Sequence, residues 1–319
     1  MENGLYTSSS PHIRDNSSTT GIMSDVIIAL VPASIAAVFL AGWSAVVLII
    51  ACILASVLTE ALFQHLRFKQ TSVRDGSAAV TGLLLALTLP PGLPVWTAVL
   101  GSIVAIIIGK QVFGGLGHNP FNPALVGRAF LVVSFPVLMT DWTSLEPVVD
   151  GVSKATPLGL WLHRGIETSY WQLFTGNISG WVDAGTVRAF GSLGEASALA
   201  LLIGAAYLFY RGVLDWRVPI SYLGTVVLLT LLAGEDPVFH LLAGGLILGA
   251  FFMATDYVTS PLTKRGRLLF GVGAGILLVI IRLYAAFDEG VLFSILFMNM
   301  MVPIIDQYTR PESLGEVKG

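Results

Sequence analysis

Ser44-Ala-Val-Val-Leu-Ile-Ile-Ala-Cys52-Ile-Leu-Ala-Ser-Val-Leu-Thr-Glu60-Ala-Leu-Phe63 is a run of twenty residues with one charged side chain. As a helix it would be about 30 Å long, the thickness of the hydrocarbon core of a bilayer. Nine more apolar segments accompany it: Met23–Ala41 before it, then Ala78–Pro90, Pro94–Lys110, Ala124–Met139, Glu195–Tyr210, Arg217–Gly234, Val238–Ala254, Arg267–Tyr284 and Val291–Tyr308. Most reach the roughly 17–25 residues that a crossing helix needs. Ala78–Pro90 does not, and it runs into Pro90-Pro91, which predicts a half-helix or a strongly tilted one. Composition agrees: of 319 residues, 55% are hydrophobic and only 12% charged, too few charges to cover a surface in water. The expected fold is an all-α polytopic membrane protein of about ten transmembrane helices.

The same numbers exclude other classes. A net charge of −3 leaves no polybasic footprint for nucleic acid. Cys52 is the single cysteine, so the chain can form no internal disulfide and cannot alone hold an iron–sulfur cluster. The histidines His12, His65, His118, His163 and His240 are scattered without metal spacing, and no metal site is expected. Residues 1–22 are polar and read as a cytoplasmic tail without the layout of a cleaved signal peptide.

Lysine and arginine set the expected orientation. With the N-terminus inside, twelve of the 17 fall in inner segments, Lys110 among them. Only Lys154, Arg164 and Arg188 fall in outer loops, and Arg128 and Arg282 lie within or at the ends of helices. Both termini are then cytoplasmic and the long loop 140–194 is extracytoplasmic. That loop separates a first five-helix half, 23–139, from a second, 195–308, followed by a short cytoplasmic tail, 309–319. An odd number of spans per half requires any repeat to be inverted, with short or broken third and eighth helices. Gly82-Leu-Leu-Leu resembles Gly245-Leu-Ile-Leu, which pairs the third span with the eighth. Val31-Pro32-Ala-Ser34 and Val218-Pro219-Ile-Ser221 would instead pair the first with the seventh, so at most one register holds, and the first is preferred.

Asp150-Gly-Val-Ser153-Lys-Ala155-Thr156-Pro157 is the most informative stretch outside the spans. Asp-x-x-Ser/Thr-x-Ala-Thr is the acceptor pattern on which a flavin transferase attaches FMN to a threonine through a phosphoester. Asp150, Ser153 and Ala155 complete the attachment motif around Thr156. A loop outside the membrane is open to a separate enzyme, the small Ala155 admits a bulky donor, and Pro157 restricts the local backbone.

With that segment, four others occur in order: Asp75-Gly-Ser-Ala-Ala-Val-Thr81-Gly-Leu-Leu-Leu-Ala-Leu-Thr-Leu-Pro90-Pro, Lys110-Gln-Val-Phe-Gly-Gly-Leu-Gly-His-Asn119-Pro-Phe-Asn122-Pro-Ala, Phe252-Met-Ala-Thr-Asp256 and Met298-Asn-Met-Met-Val-Pro303-Ile-Ile-Asp306. Together, over about residues 20–310, the chain resembles the NqrB/RnfD family. It lacks the longer N-terminal extension of NqrB chains, so the resemblance is closer to the RnfD branch. The resemblance implies covalent FMN on Thr156, in a bacterial or archaeal cytoplasmic-membrane complex that couples ferredoxin–NAD electron transfer to Na+ or H+ translocation. It also implies five partners, the Rnf subunits RnfA, RnfB, RnfC, RnfE and RnfG, holding the iron–sulfur clusters, the NAD site and a second covalent flavin. The alternatives are an NqrB-type subunit of a quinone-reducing pump, or a cofactor-free channel or transporter of the same architecture.

Between the fourth and fifth spans, Asn119 and Asn122 can both donate and accept hydrogen bonds, which suits the uracil-like edge of an isoalloxazine ring. Three glycines and Pro120 and Pro123 keep this segment from being a continuous helix. From the family, it resembles a second, non-covalent flavin site with riboflavin as occupant; otherwise it is a tight turn in which the asparagines satisfy themselves. Asp256, ending the eighth span, is either a ligand for that flavin or for a passing cation, or an interfacial acid paired with Lys264 or Arg265. Glu60 reads as snorkelling or paired with Arg67, and Asp306 and Asn299 mark no ion path by themselves. Gly271-Val-Gly-Ala-Gly275, inside the ninth span, should allow close helix approach.

Overall fold

The computed structural model describes residues 18–68, 73–140, 158, 170–175, 191–285 and 290–310. Among them every regular element is helical. The ten apolar segments give α1 (Thr19–Ala41), α2 (Trp43–Phe68), α3 (Ser77–Leu87), α4 (Val95–Ile106), α5 (Pro123–Ser134), α6 (Ala198–Tyr210), α7 (Arg217–Ala233), α8 (Leu246–Leu248), α9 (Lys264–Tyr284) and α10 (Val291–Thr309). A π turn over Ile107–Gln111 extends α4, and another over Gly249–Met253 extends α8. Shorter helical pieces lie at Pro136–Met139, Tyr170–Thr175 and Pro237–Leu242.

The two faces of α2 show why lipid is the solvent. Ile50, Leu54, Leu58, Leu62 and Leu66 recur every fourth residue and are all exposed, whereas Leu48, Cys52, Ser56, Glu60 and Gln64, at the same spacing, are all buried. Large apolar groups therefore point outward and small and polar ones inward, the reverse of a helix in water.

The fold is the expected all-α membrane bundle; among the described residues four helices, α1, α2, α9 and α10, reach 18 residues and are apolar enough to cross a membrane. Six of the ten nevertheless reach the expected 17 residues or more, counting α4 with its π turn (Val95–Gln111) and α7 (Arg217–Ala233). Backbone breaks shorten the others: α3 stops before Pro90-Pro91, α5 ends at Phe135 ahead of Pro136, and the eighth segment breaks at Gly244 and Gly245, with φ of +70° and +66°. As expected, the third and eighth elements are the short and broken ones.

Pairings recur between the halves. The second helix packs on the fourth and the fourth on the fifth in each, as α2–α4 and α4–α5, then α7–α9 and α9–α10, while α1 and α6 pack on one another. The third elements match in their entries, since α3 follows a left-handed Gly76 and α8 a left-handed Gly245. Residue by residue, the expected match of Gly82 with Gly245 is not an equivalence. Gly82 sits inside α3, where a β-carbon would lie 2.6 Å from the Cys52 carbonyl oxygen of α2, and it serves packing rather than a turn. The glycines of α9 act as expected: β-carbons at Gly271 and Gly275 would meet Ser221 Oγ at 1.9 Å and Thr225 Cβ at 2.6 Å, so α7 and α9 touch almost backbone to backbone.

The α1–α6 contact is equally tight, because a β-carbon on Gly204 would lie 1.9 Å from the Ala29 carbonyl oxygen. Gly204→Ala should therefore force the two helices apart and cost on the order of 1–3 kcal/mol. Gly224→Ala in α7, where nothing lies within 4 Å, should leave stability unchanged or slightly raised. Thermal midpoints of the two variants in detergent check the contrast.

Candidate functional site

A cavity opens at the end of the bundle where α1, α3 and α5 begin and α4 and α6 end. Its volume is about 80 Å³, and it is partly open to solvent. Asn119, Asn122 and Asp256, three residues selected from sequence, all line it, together with Ser77, Thr81 and Lys110.

The segment between α4 and α5 turns on Gly114, Gly115 and Gly117, with φ of +121°, +96° and +92°. That turn delivers Asn119, 3% exposed, to the wall. Its Nδ2 donates to the Phe121 carbonyl at 3.1 Å, and its buried Oδ1 accepts nothing among the described residues. A buried amide oxygen without a donor is costly, and this one is left able to accept an N–H or O–H.

Asn122 has a different task. Its Oδ1 caps α5 by accepting the Ala124 and Leu125 N–H groups at 3.0 and 3.3 Å, and its Nδ2 donates to the Met253 carbonyl at 3.3 Å. Its own backbone N–H reaches Asn299 Oδ1 at 3.4 Å, while Asn299 Nδ2 donates to the Thr259 carbonyl at 2.9 Å. The turn reading thus holds for Asn122, whose side chain fixes the wall and ties the loops of the two halves together.

Asp256 lies in the connection between the π turn after α8 and the start of α9. Its carboxylate accepts the Val258 N–H at 3.3 Å, and among the described residues it has no ion pair, so the expected partners Lys264 and Arg265 are corrected. Burial raises its carboxyl above the ordinary range, against the opposing pull of the Val258 N–H and the Thr259 hydroxyl. Asp306 accepts the Leu262 N–H at 3.0 Å and closes the same connection.

The charged feature that sequence reading missed borders the cavity. Lys110 Nζ lies 2.8 Å from both oxygens of Glu60 and 2.6 Å from Ser77 Oγ, and both ionic side chains are 1% exposed. Gln111 Nε2 and Gln64 Nε2 add bonds to Glu60 at 2.9 and 3.0 Å, and Ser77 Oγ in turn donates to Asp75 Oδ1 at 2.7 Å. Glu60 is therefore neither snorkelling nor paired with Arg67, whose guanidinium lies over the Phe63 ring. Lys110 is no loop charge either. The signal that could have found this pair is the spacing of Cys52, Ser56, Glu60 and Gln64, which places the acid on the inward face opposite the leucines.

Asp150, Ser153, Ala155 and Thr156 lie outside the described residues, as does most of 140–194. The nearest described residue is Leu158, fully buried against Phe239 and Ala243.

The profile of the NQR2, RnfD, RnfE family matches residues 6–315. The chain is 47% identical to the D component of the Na+-translocating ferredoxin:NAD+ oxidoreductase complex of Acetobacterium woodii, over 99% of this chain and 97% of that one. It is 44% identical to the D component of the proton-translocating ferredoxin:NAD+ oxidoreductase complex of Clostridium ljungdahlii, over 99% and 98%. To the D component of the ion-translocating oxidoreductase complex of Escherichia coli it is 36% identical, over 98% of each.

Removing one partner of a buried ion pair strands the other. Glu60→Gln should lower unfolding stability by about 3–5 kcal/mol, and the double replacement Glu60→Met with Lys110→Met should recover most of the loss. Thermal unfolding of the single and double variants in detergent measures both. Equal losses in the two would show that the pair is not what holds this region.

Proposed function

The chain belongs to the NQR2, RnfD, RnfE family, and on that premise we propose that it works as the flavin-carrying membrane subunit of an Rnf-type complex. In that role it relays electrons within an ion-translocating ferredoxin:NAD+ oxidoreductase, beside RnfA, RnfB, RnfC, RnfE and RnfG in a bacterial cytoplasmic membrane. A flavin transferase esterifies FMN to the Thr156 hydroxyl, and a second flavin, riboflavin, occupies the cavity without a covalent bond. Both termini face the cytoplasm, as the arginine and lysine distribution argues.

One observation carries the reading: Asn119, Asn122 and Asp256, chosen from two motifs more than a hundred residues apart, line a single cavity. The residues fit the group. Asn119 Oδ1 is free to accept from a ring N–H, Asp256 offers an acceptor or, protonated, a donor, and Leu84, Phe251 and Phe252 supply apolar walls for a flat ring. When bound, a flavin supplies the redox chemistry, and the protein contributes position and a fixed electrostatic surrounding. That division explains why no acid–base constellation is needed. The Thr156 assignment is supported by the Asp150-x-x-Ser153-x-Ala155-Thr156 pattern in a loop that the charge distribution sets outside the membrane.

Two measurements test the two flavins separately. Chain co-expressed with its transferase should fluoresce in a denaturing gel under ultraviolet light, and Thr156→Ala should abolish the band while still inserting into the membrane. A band of equal brightness in the variant would move the attachment elsewhere. Mass spectrometry of acid-released cofactors should find riboflavin, reduced at least about tenfold in Asn119→Leu, which removes the amide and narrows the cavity. Unchanged riboflavin in that variant would take Asn119 out of the site.

A further inference from the structure

Flavins in a cell differ above all in one group, the phosphate, and the lining of the cavity bears on that choice. Among the described residues that line it, two are charged, Lys110 and Asp256. A phosphate monoester carries a charge of about −1.5 to −2 at neutral pH, and out of water it needs a cation or several N–H and O–H donors. Riboflavin has no phosphate and brings hydroxyl and ring N–H donors of its own.

Lys110 is the lining residue that could meet a phosphate, and it is fully engaged. An ammonium has three N–H donors. Those of Lys110 go to the two oxygens of Glu60, each at 2.8 Å, and to Ser77 Oγ at 2.6 Å. Glu60 and Lys110 are both 1% exposed, so the two charges answer each other without water between them. Toward the cavity the pair is neutral.

The hydroxyls of the lining are engaged as well. Ser77 donates to Asp75 Oδ1 at 2.7 Å, Thr81 to the Ser77 carbonyl at 3.0 Å, Thr255 to the Phe251 carbonyl at 2.6 Å, and Tyr257 to the Val213 carbonyl. What remains is mostly acceptors: the orphan Oδ1 of Asn119 and the carboxylate of Asp256, which has no ion pair among the described residues. Asn119 and Asn122 each keep one further N–H. Such a lining serves a ligand that donates hydrogen bonds and holds no free cation to balance an anion.

We propose that Glu60 is a specificity-determining residue: by holding the charge and the N–H groups of Lys110, it makes the cavity accept riboflavin and refuse its phosphorylated form, FMN. The proposal rests on the non-covalent flavin reading above and adds to it the residue that chooses between the two. A buried anion without a partner is strongly disfavoured, and here the one cation on the described wall is already matched. A pair that served only to join α2, α3 and the π turn after α4 would be indifferent to the phosphate.

The test compares three ligands on the full chain, made without the transferase and without flavin by cell-free synthesis into lipid nanodiscs. They are riboflavin, FMN and the dimethyl ester of FMN, which is larger than FMN but uncharged. Quenching of flavin fluorescence reads each affinity. The wild type should bind riboflavin at least about a hundredfold more tightly than FMN, and should bind the ester within about tenfold of riboflavin. An ester refused as strongly as FMN would show selection by size and overturn the proposal. Glu60→Gln, which leaves the Lys110 cation without its counter-charge, should narrow the gap between riboflavin and FMN at least about tenfold. Glu60→Met with Lys110→Met, neutral again, should keep the wild-type gap. An unchanged gap in the single variant, or an equally narrowed one in the double, would overturn the proposal and leave the pair as a structural tie. Should Glu60→Gln not fold, the ester on the wild type decides: its binding supports selection by charge and its refusal removes it. A wild-type chain that binds neither riboflavin nor the ester would defeat the flavin reading itself, an outcome distinct from a chain that binds riboflavin and FMN alike, which would defeat the proposal alone.

Discussion

Hydrocarbon offers no hydrogen bonds, so wherever this chain leaves helical geometry the protein must answer the freed backbone groups itself. The breaks are numerous: the glycine turn before Asn119, the π turns after α4 and α8, the paired left-handed glycines before α8 and the connection that follows it. Buried polar side chains from other parts of the bundle serve them. Asn122 takes the first N–H groups of α5 and the Met253 carbonyl. Asn299 on α10 bridges Asn122 and Thr259, and Arg282 on α9 collects the carbonyls of His240, Ala243 and Gly244. The full-length helices thus act as supports for irregular backbone, and irregular backbone is what makes a cavity possible in a helical bundle.

The two halves use one arrangement with different chemistry. Helix pairings, left-handed entries to the third elements and buried cations on the fourth helices recur. A lysine with an internal carboxylate stands at one end of the bundle, while an arginine resting on carbonyls stands at the other. Lysine is a compact charge that one carboxylate can satisfy, whereas the planar fork of arginine can hold several acceptors and retain donors for more. At the first end the Lys110–Glu60 pair is neutral within itself and borders a cavity with an orphan amide oxygen. At the second, the guanidinium of Arg282 rests on the carbonyls of His240, Ala243 and Gly244.

Features that are properties of one segment were legible in the sequence. Twenty apolar residues around Glu60 announce a span, Pro90-Pro91 announces a short one, and Gly271-Val-Gly-Ala-Gly275 announces a close helix contact. Asn119 and Asp256, which line one cavity, were legible as residues to watch because each sits where irregular backbone had to be lined by something. Pairings were not legible, since they belong to two segments at once. Glu60 has Arg67 seven residues ahead and Lys110 fifty residues ahead. Only the packing of α2 against α4 determines which one it meets, because helical geometry sends position 67 beyond the buried end of the face that carries Cys52, Ser56 and Glu60. The same reasoning separates the two asparagines, which look interchangeable as letters. Asn122 precedes Pro123 at the first turn of a helix, where a side-chain oxygen caps the orphan N–H groups, so its chemistry is consumed locally. Asn119 precedes Pro120 where no helix begins, so its Oδ1 has no such N–H groups to cap. Of two identical side chains three residues apart, the one without a helix to cap is the one left with an acceptor to offer.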